Sequence, residues 1–225
     1  MQKAKELFQR HDQIIVTGGT GLYVKAFCEG LDEIPGVPND TREKIIFNYE
    51  RNGLEWLQRQ VQEKDPRFYM SGEIQNPHRL MRALEVAEAT GRSILEFRSG
   101  QKETRDFNIV KIGLELPKEQ LHRNISTRVD QMIDAGLAEE ARHLALYKNL
   151  NALQTVGYTE IFDYLDGKLS LENAVELIKK NTRQYAKRQM TWFKKDKEIK
   201  WFSPSKLSEI EGSLIIATDF TDGHR

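Results

Sequence analysis

A single cysteine, Cys28, excludes an internal disulfide and any four-cysteine zinc site. It reads as a buried structural thiol in a chain suited to a reducing compartment. Excess charge of either sign is also missing. The 34 lysines and arginines are balanced by 34 aspartates and glutamates, so the total predicts neither nucleic acid nor a membrane surface as partner, and any basic surface has to be local. No apolar run approaches the ~18 residues that a membrane-spanning helix requires. The opening stretch from Met1 to Arg10 scatters charges through an amphipathic pattern without an apolar centre, unlike a signal peptide or an anchor. The five histidines, His11, His78, His122, His143 and His224, form no metal-ligand spacing, and no Ser-His-Asp arrangement is legible. Repeats and low-complexity segments are absent too. What is present is 225 residues with 39% hydrophobic content, enough for an ordinary core and for one large domain or a domain carrying an insertion. A soluble, cytoplasmic, monomeric protein is the expectation.

The pattern along the chain is mixed. Residues 2 to 10 read as the tail of a helix, and Gln13 to Thr17 as a short strand buried on both faces, because an apolar run there ends at glycines. A helix starts at Leu22, and the prolines of Ile34-Pro-Gly-Val-Pro38 break it off. Helices are predicted over Arg42 to Arg51, stopped by Gly53, over Leu54 to Lys64, and over Pro77 to Thr90. The last has Asn76 at its cap, Pro77 in its first turn and Gly91 just beyond it. Val110, Ile112, Leu114 and Leu116 recur at period two and predict a strand that returns to the sheet. Further helices follow over Pro117 to Ala135, Leu137 to Lys148, Tyr158 to Asp166 and Leu171 to about Lys195, with a last short strand at Ile199 to Phe202; the tail from Pro204 is left unassigned. The expected division is a first α/β part over 1–36, a helical insertion over 37–104, and a second α/β part with C-terminal helices over 105–225.

Four places could carry chemistry. Val16-Thr-Gly-Gly-Thr-Gly-Leu-Tyr23 is a glycine-rich turn between a strand and a helix, where successive N–H groups and a helix N-terminus suit an anion or a nucleotide. Gly18, Gly19 and Gly21 could equally serve backbone geometry alone, and no Gly-Lys-Ser/Thr makes the turn a Walker A loop. Arg128 falls in line with Leu121, Ile125 and Met132 on a predicted helix face. It reads either as paired with a carboxylate such as Glu115, or snorkelling, or as a fork-shaped clamp on a phosphate.

On the long C-terminal helix, Lys180, Arg183, Lys187, Thr191 and Lys194 share one face, with Tyr185, Trp192, Phe193, Trp201 and Phe202 interleaved nearby. That combination suits a phosphate backbone with unstacked bases, or else a solvated charged face over an aromatic core. The fourth place is His78-Arg79-Leu-Met-Arg82, opposite the face of Leu80, Leu84 and Ala87. It could grip phosphates, or Arg82 could simply pair with Glu85 or Glu88.

Taken in order, Val16 to Tyr23, Asn76-Pro-His-Arg-Leu-Met-Arg-Ala-Leu-Glu-Val86 with Thr90-Gly91, Arg128-Val-Asp-Gln-Met132 with Gly136-Leu137, Thr155-Val-Gly-Tyr158, and Thr182-Arg-Gln-Tyr-Ala-Lys-Arg-Gln-Met-Thr-Trp192 resemble successive motifs of the bacterial tRNA dimethylallyltransferases. The resemblance covers nearly the whole chain. It implies a P-loop NTPase-like parallel-sheet core with a helical insertion. It also implies transfer of a dimethylallyl group from dimethylallyl diphosphate to the exocyclic amine of the adenosine 3′ of the anticodon, with Mg2+ present. A polyanionic leaving group makes anion stabilisation and positioning the main catalytic needs.

By the same resemblance Arg128 corresponds to an arginine near the diphosphate, and Thr20 to a threonine by the target nucleotide. Arg42, the His78, Arg79 and Arg82 group, Gln154 to Thr159 with Gly157 and Tyr158, and Lys187, Arg188, Gln189, Trp192 and Lys194 match stretches that touch the tRNA anticodon stem-loop, and Arg183 belongs to the same helix. The target base is expected to flip out of its stack. Family members carry a Gly-Lys-Thr/Ser loop and an Asp-Ser segment upstream of the point where this sequence starts, so the Mg2+ ligands and the general base are expected outside it and the chain alone is expected to be inactive. Asn124 stands where an arginine is frequent. Alternatives are an adenylate isopentenyltransferase, a non-catalytic tRNA-binding fragment, and a structural remnant whose sheet edge self-associates.

Overall fold

The structure, a computed structural model, describes residues 1–219. The chain divides into a compact unit over residues 25–106 and a second unit formed by residues 2–24 together with the chain from Phe107 onward.

The first unit is helical. Helix α3 (Asn39–Lys64) is two helices joined across a kink, because Gly53 sits at φ 74°, ψ −170° and interrupts the helical backbone where the sequence placed a stop. Helices α4 (Pro66–Ser71) and α5 (Pro77–Thr90) follow. α5 has the ends its sequence predicts: the Asn76 side chain accepts from the Arg79 N–H, Pro77 opens the first turn, and Gly91 closes the helix in the left-handed region at φ 67°. Leu80, Leu84 and Ala87 face inward with Ile45, Leu57, Val61, Phe68 and Ile94. Asp65 is buried among them. Its two oxygens accept from the N–H groups of Phe68 (3.0 Å) and Ile94 (3.2 Å), which fastens the start of α4 to a short 3-10 turn at Ile94–Phe97.

The second unit contains α1 (Gln2–Phe8), the start of α2 (Gly21–Glu29), strand β1 (Ile112–Leu114), α6 (Lys118–Asp134), α7 (Leu137–His143), α8 (Tyr158–Leu165), α9 (Leu171–Phe193), strand β2 (Lys200–Phe202) and α10 (Leu207–Asp219). β1 and β2 pair in parallel with Gly113 opposite Trp201, and Lys111 ties their flank through Asp196 (2.7 Å) and Glu198 (2.8 Å). α6 and α8 both pack on α9. Ile125, Val129, Leu137, Ala141, Ile161, Phe162, Ala174 and Ile178 form their shared core. Lys179 of α9 reaches across to Asp130 of α6 at 2.8 Å, a contact that raises its pKa by hydrogen bonding to the carboxylate.

Two expectations from sequence fail locally. Residues 13–17 form no strand: Ile15 is 87% and Val16 60% exposed. An apolar run becomes a strand buried on both faces only if neighbours cover it, and among the described residues β1 and β2 pair solely with each other. The returning strand shortens to Ile112–Leu114 for the same reason. The segment after Pro204, left unassigned from sequence, contains α10.

Candidate nucleic-acid and anion site

The glycine-rich turn sits directly on α9. The Thr20 carbonyl accepts from the N–H groups of Tyr23 (2.9 Å) and Val24 (3.1 Å) and so starts α2. Just ahead of it, the Gln189 side-chain N–H donates to the Gly19 carbonyl at 2.9 Å. The fit depends on missing side chains. A Cβ on Gly19 would lie 2.1 Å from Gln189 Nε2, and one on Gly21 would lie 2.3 Å from Cδ1 and Nε1 of Trp192. At Gly18 a Cβ would meet nothing within 4 Å. Close approach to α9 therefore favours glycine at two of the three positions, strictly at Gly21 against the Trp192 ring and less so at Gly19, where the tip of Gln189 can move.

The basic stripe of α9 faces solvent. Lys180, Lys187, Thr191 and Lys194 are exposed and Arg183 is half-buried. Lys180 and Lys187 have no ion-pair partner among the described residues, whereas Lys194 contacts both oxygens of Glu115 at 2.8 Å and lies 5.1 Å from the Trp201 ring. Arg183 donates to the Lys179 carbonyl and Arg188 stacks over Tyr185. Trp192 and Tyr185 are 44% and 40% exposed, so flat aromatic surface lies within the cationic stripe, while Phe193, Trp201 and Phe202 are half-buried.

Arg128 corrects its sequence reading. The buried line on α6 is Ile125 and Val129, flanked by half-buried Leu121 and Met132, and Arg128 lies one position off it, exposed. Neither Glu115 nor any other described carboxylate pairs with it, since Glu115 is taken by Lys194. The Thr20 hydroxyl is likewise exposed and unpartnered among the described residues. Both groups are free to meet a ligand.

In the other unit the candidate arginines Arg42, Arg79 and Arg82 are engaged. Glu85 is 5% exposed and accepts from Arg42 Nε (3.2 Å), Arg42 NH2 (3.3 Å) and Arg82 NH1 (3.1 Å). Arg79 pairs with Glu73, and His78 is exposed. Arg82 thus makes the salt bridge that the plainer reading of its sequence offered.

Gln154, Thr155 and Val156 form the exposed apex of a turn that leads into α8, and Gly157 is buried beneath it at φ 107°. Tyr158 donates to Glu140, and that hydrogen bond, with burial and the charge of Glu140 adding to it, raises the phenol pKa above that of an ordinary tyrosine. Sequence reasoning missed Glu160, which holds this turn from below. The signal was available: a glutamate three residues past an N-cap commonly reaches back to the cap N–H.

The fold and site define a mainly helical α/β protein with a small parallel sheet and a cationic, aromatic-bearing surface beside a glycine turn. Residues 1–196 match the IPP transferase family. The chain is 46% identical over 210 residues to a tRNA dimethylallyltransferase of Cytophaga hutchinsonii, covering 93% of this chain and 69% of that one. It is 48% identical over 200 residues to that of Christiangramia forsetii, covering 89% and 66%. The chain thus spans about two thirds of the length of these relatives. Among solved structures, a eukaryotic dimethylallyltransferase acting on tRNA superimposes with a TM-score of 0.70 at 25% identity, over 100% of this chain and 61% of that one. A tRNA isopentenylpyrophosphate transferase of Staphylococcus epidermidis gives 0.58 at 26% identity, over 96% and 74%. The chain belongs to the tRNA dimethylallyltransferase family, as its motifs implied, and shares the α/β fold of those enzymes.

Proposed function

We propose that the chain serves the transfer of a dimethylallyl group from dimethylallyl diphosphate to the exocyclic amine of the adenosine 3′ of the anticodon in tRNA. In that reaction the amine nitrogen forms a bond to the allylic C1, the C1–O bond breaks, diphosphate leaves with the bonding pair, and the nitrogen loses a proton. The observation that carries the reading is the seating of the Gly19–Gly21 corner on Gln189 and Trp192, which joins an anion-suited turn to a cationic helix bearing exposed aromatic rings.

The roles follow from the chemistry of each group. Arg128, exposed and without a carboxylate, is suited to fork onto a diphosphate. Thr20 offers its hydroxyl to the target nucleotide. Lys180, Arg183, Lys187 and Arg188 supply charge for the RNA backbone, and Trp192 a face on which an unstacked base can lie. Arg42 and Arg82, tethered on one side to Glu85, retain outward donors for phosphate, and Arg79, His78, Gln154, Tyr158 and Lys194 complete the contacts expected with the anticodon stem-loop. Mg2+ fits less well. The side chains nearest Gly19 and Gly21, Gln189 and Trp192, are not carboxylates, whereas Mg2+ is ordinarily held through one or two carboxylates together with substrate phosphates.

Binding of a labelled anticodon stem-loop, followed against salt and against competing AMP, tests the reading. Log affinity should fall steeply with log salt, Lys187→Ala should reduce the slope by about one phosphate's worth, and AMP should not compete at concentrations that saturate a free-nucleotide enzyme. Displacement by AMP would favour the adenylate isopentenyltransferase reading instead.

A further inference from the structure

Glu160 is the only glutamate in the core shared by α6, α8 and α9 among the described residues, with 3% of its surface exposed. It lies at the third position of α8, and both of its carboxylate oxygens have protein partners. Oε2 accepts from the Gly157 N–H at 2.7 Å and lies 3.0 Å from the Thr159 hydroxyl, which is also 3.1 Å from the Thr155 carbonyl and donates to one of the two. Oε1 accepts from the Asn181 side-chain N–H at 2.6 Å. One carboxylate therefore binds the underside of the Gln154–Val156 turn and a side chain of α9 at once.

Asn181 stands next to Lys180 and two residues before Arg183, at the N-terminal end of the cationic stripe and turned inward to Glu160. The turn offers uncharged groups at its exposed apex, while the helix offers cations. The packing of α8 on α9 already holds the two helices together; without the carboxylate, the turn ahead of α8 would have to be ordered on each RNA encounter, and that ordering would cost affinity. A buried carboxylate is expensive unless every lone pair it uses is met, and here it is met by donors from both elements.

We propose that Glu160 is a positioning residue for the nucleic acid, a clasp that holds the Gln154–Tyr158 turn in register with the basic face of α9 so that one RNA engages both together. The proposal rests on the reading of these two elements as RNA-binding. It touches no ligand itself.

The two contact sets differ in their response to salt, which separates positioning from loss of charge. The turn carries no cation, so unlinking it lowers affinity by the same factor at every salt concentration and leaves the salt slope unchanged; removing a phosphate contact shrinks the slope. The test uses the full 225-residue chain, a labelled anticodon stem-loop RNA, and temperatures at which far-UV circular dichroism shows each variant folded. Glu160→Ala and the milder Asn181→Ala are expected to weaken binding about tenfold, the scale of a typical coupling between sites, with the wild-type slope. The exchange Glu160→Gln with Asn181→Asp restores both hydrogen-bonding partners in reverse, and is expected to recover affinity to within about twofold.

Should Glu160→Ala fail to fold, Asn181→Ala decides the matter. Folded single variants that bind as tightly as wild type overturn the clasp, as does a folded exchange variant that binds no better than Glu160→Ala. A wild-type chain that binds no stem-loop at all overturns the RNA reading and the clasp with it, a result distinct from either of the others.

Discussion

Adding one methyl group at each glycine of the turn tests whether the turn is seated on α9. Gly18→Ala meets open space and fixes a backbone that has no positive φ, so it should gain about 0.5 kcal/mol by restricting the unfolded chain. Gly19→Ala pushes the tip of Gln189 away from 2.1 Å. That side chain can swing aside, and the cost is the neutral hydrogen bond to the Gly19 carbonyl, about 1 kcal/mol. Gly21→Ala drives a methyl into the five-membered edge of the Trp192 indole at 2.3 Å. Gly21 opens α2, so alanine there recovers up to about 1 kcal/mol of helix propensity, against about 1–3 kcal/mol for forcing a large ring out of place. The net expectation is a loss of about 1 kcal/mol, which for a chain of this length moves the melting temperature by about 2–4 °C. Thermal unfolding by circular dichroism supplies the order: Gly18→Ala highest, wild type next, Gly19→Ala and Gly21→Ala below. Acrylamide should also quench tryptophan fluorescence more readily in Gly21→Ala than in Gly18→Ala, because the displaced ring gains solvent. If Gly21→Ala melts at or above Gly18→Ala with unchanged quenching, the turn does not rest on Trp192 and the site as described is wrong.

Arg128→Ala should leave the melting temperature within the change expected of an ordinary surface substitution, about 0.5 kcal/mol, while diphosphate binding measured by calorimetry falls at least about tenfold, as for loss of a charge-assisted hydrogen bond; a marked drop in stability would mean that the guanidinium is structural. Glu85→Gln weakens the hold on two guanidiniums that are themselves 34% and 48% exposed, so solvent recovers much of the loss. The expected cost is about 1 kcal/mol, read as an earlier melting transition, and an unchanged transition would show that the two pairs contribute nothing net. Tyr158 should titrate above the range of an ordinary tyrosine by its absorbance near 295 nm, and Glu140→Gln should bring that titration down. Since folding raises this pKa, the contact contributes stability that is complete below the unfolded tyrosine pKa and is lost as pH climbs through the folded value. A Tyr158 titration that does not move in Glu140→Gln refutes that contact.

What could be read from sequence depended on how local its cause is. α5 was legible to the residue because its cap, its proline and its glycine are all local signals, and the halves of α3 were legible because Gly53 stops the first. The cationic face of α9 followed from helical spacing alone. Residues 13–17 misled because apolar composition shows that a segment could be a buried strand, whereas being one depends on pairing partners that lie elsewhere. Arg128 was placed on the wrong face by a single position. A line drawn at i, i+4, i+7 and i+11 passes through it, but the helix turns its core side to Ile125 and Val129 instead. Contacts across many residues, such as Gln189 on Gly19 or Asn181 on Glu160, leave no trace in spacing at all.

The most direct measurement is photocrosslinking of an anticodon stem-loop that carries 4-thiouridine in its loop, with the attached peptides mapped by mass spectrometry. Crosslinks should concentrate in the turn before α8, around Gln154 to Tyr158, and along α9 between Lys180 and Lys194. Attachment confined to α1, α7 and the surface around Ile15 and Val16, with none on α9, would contradict the account.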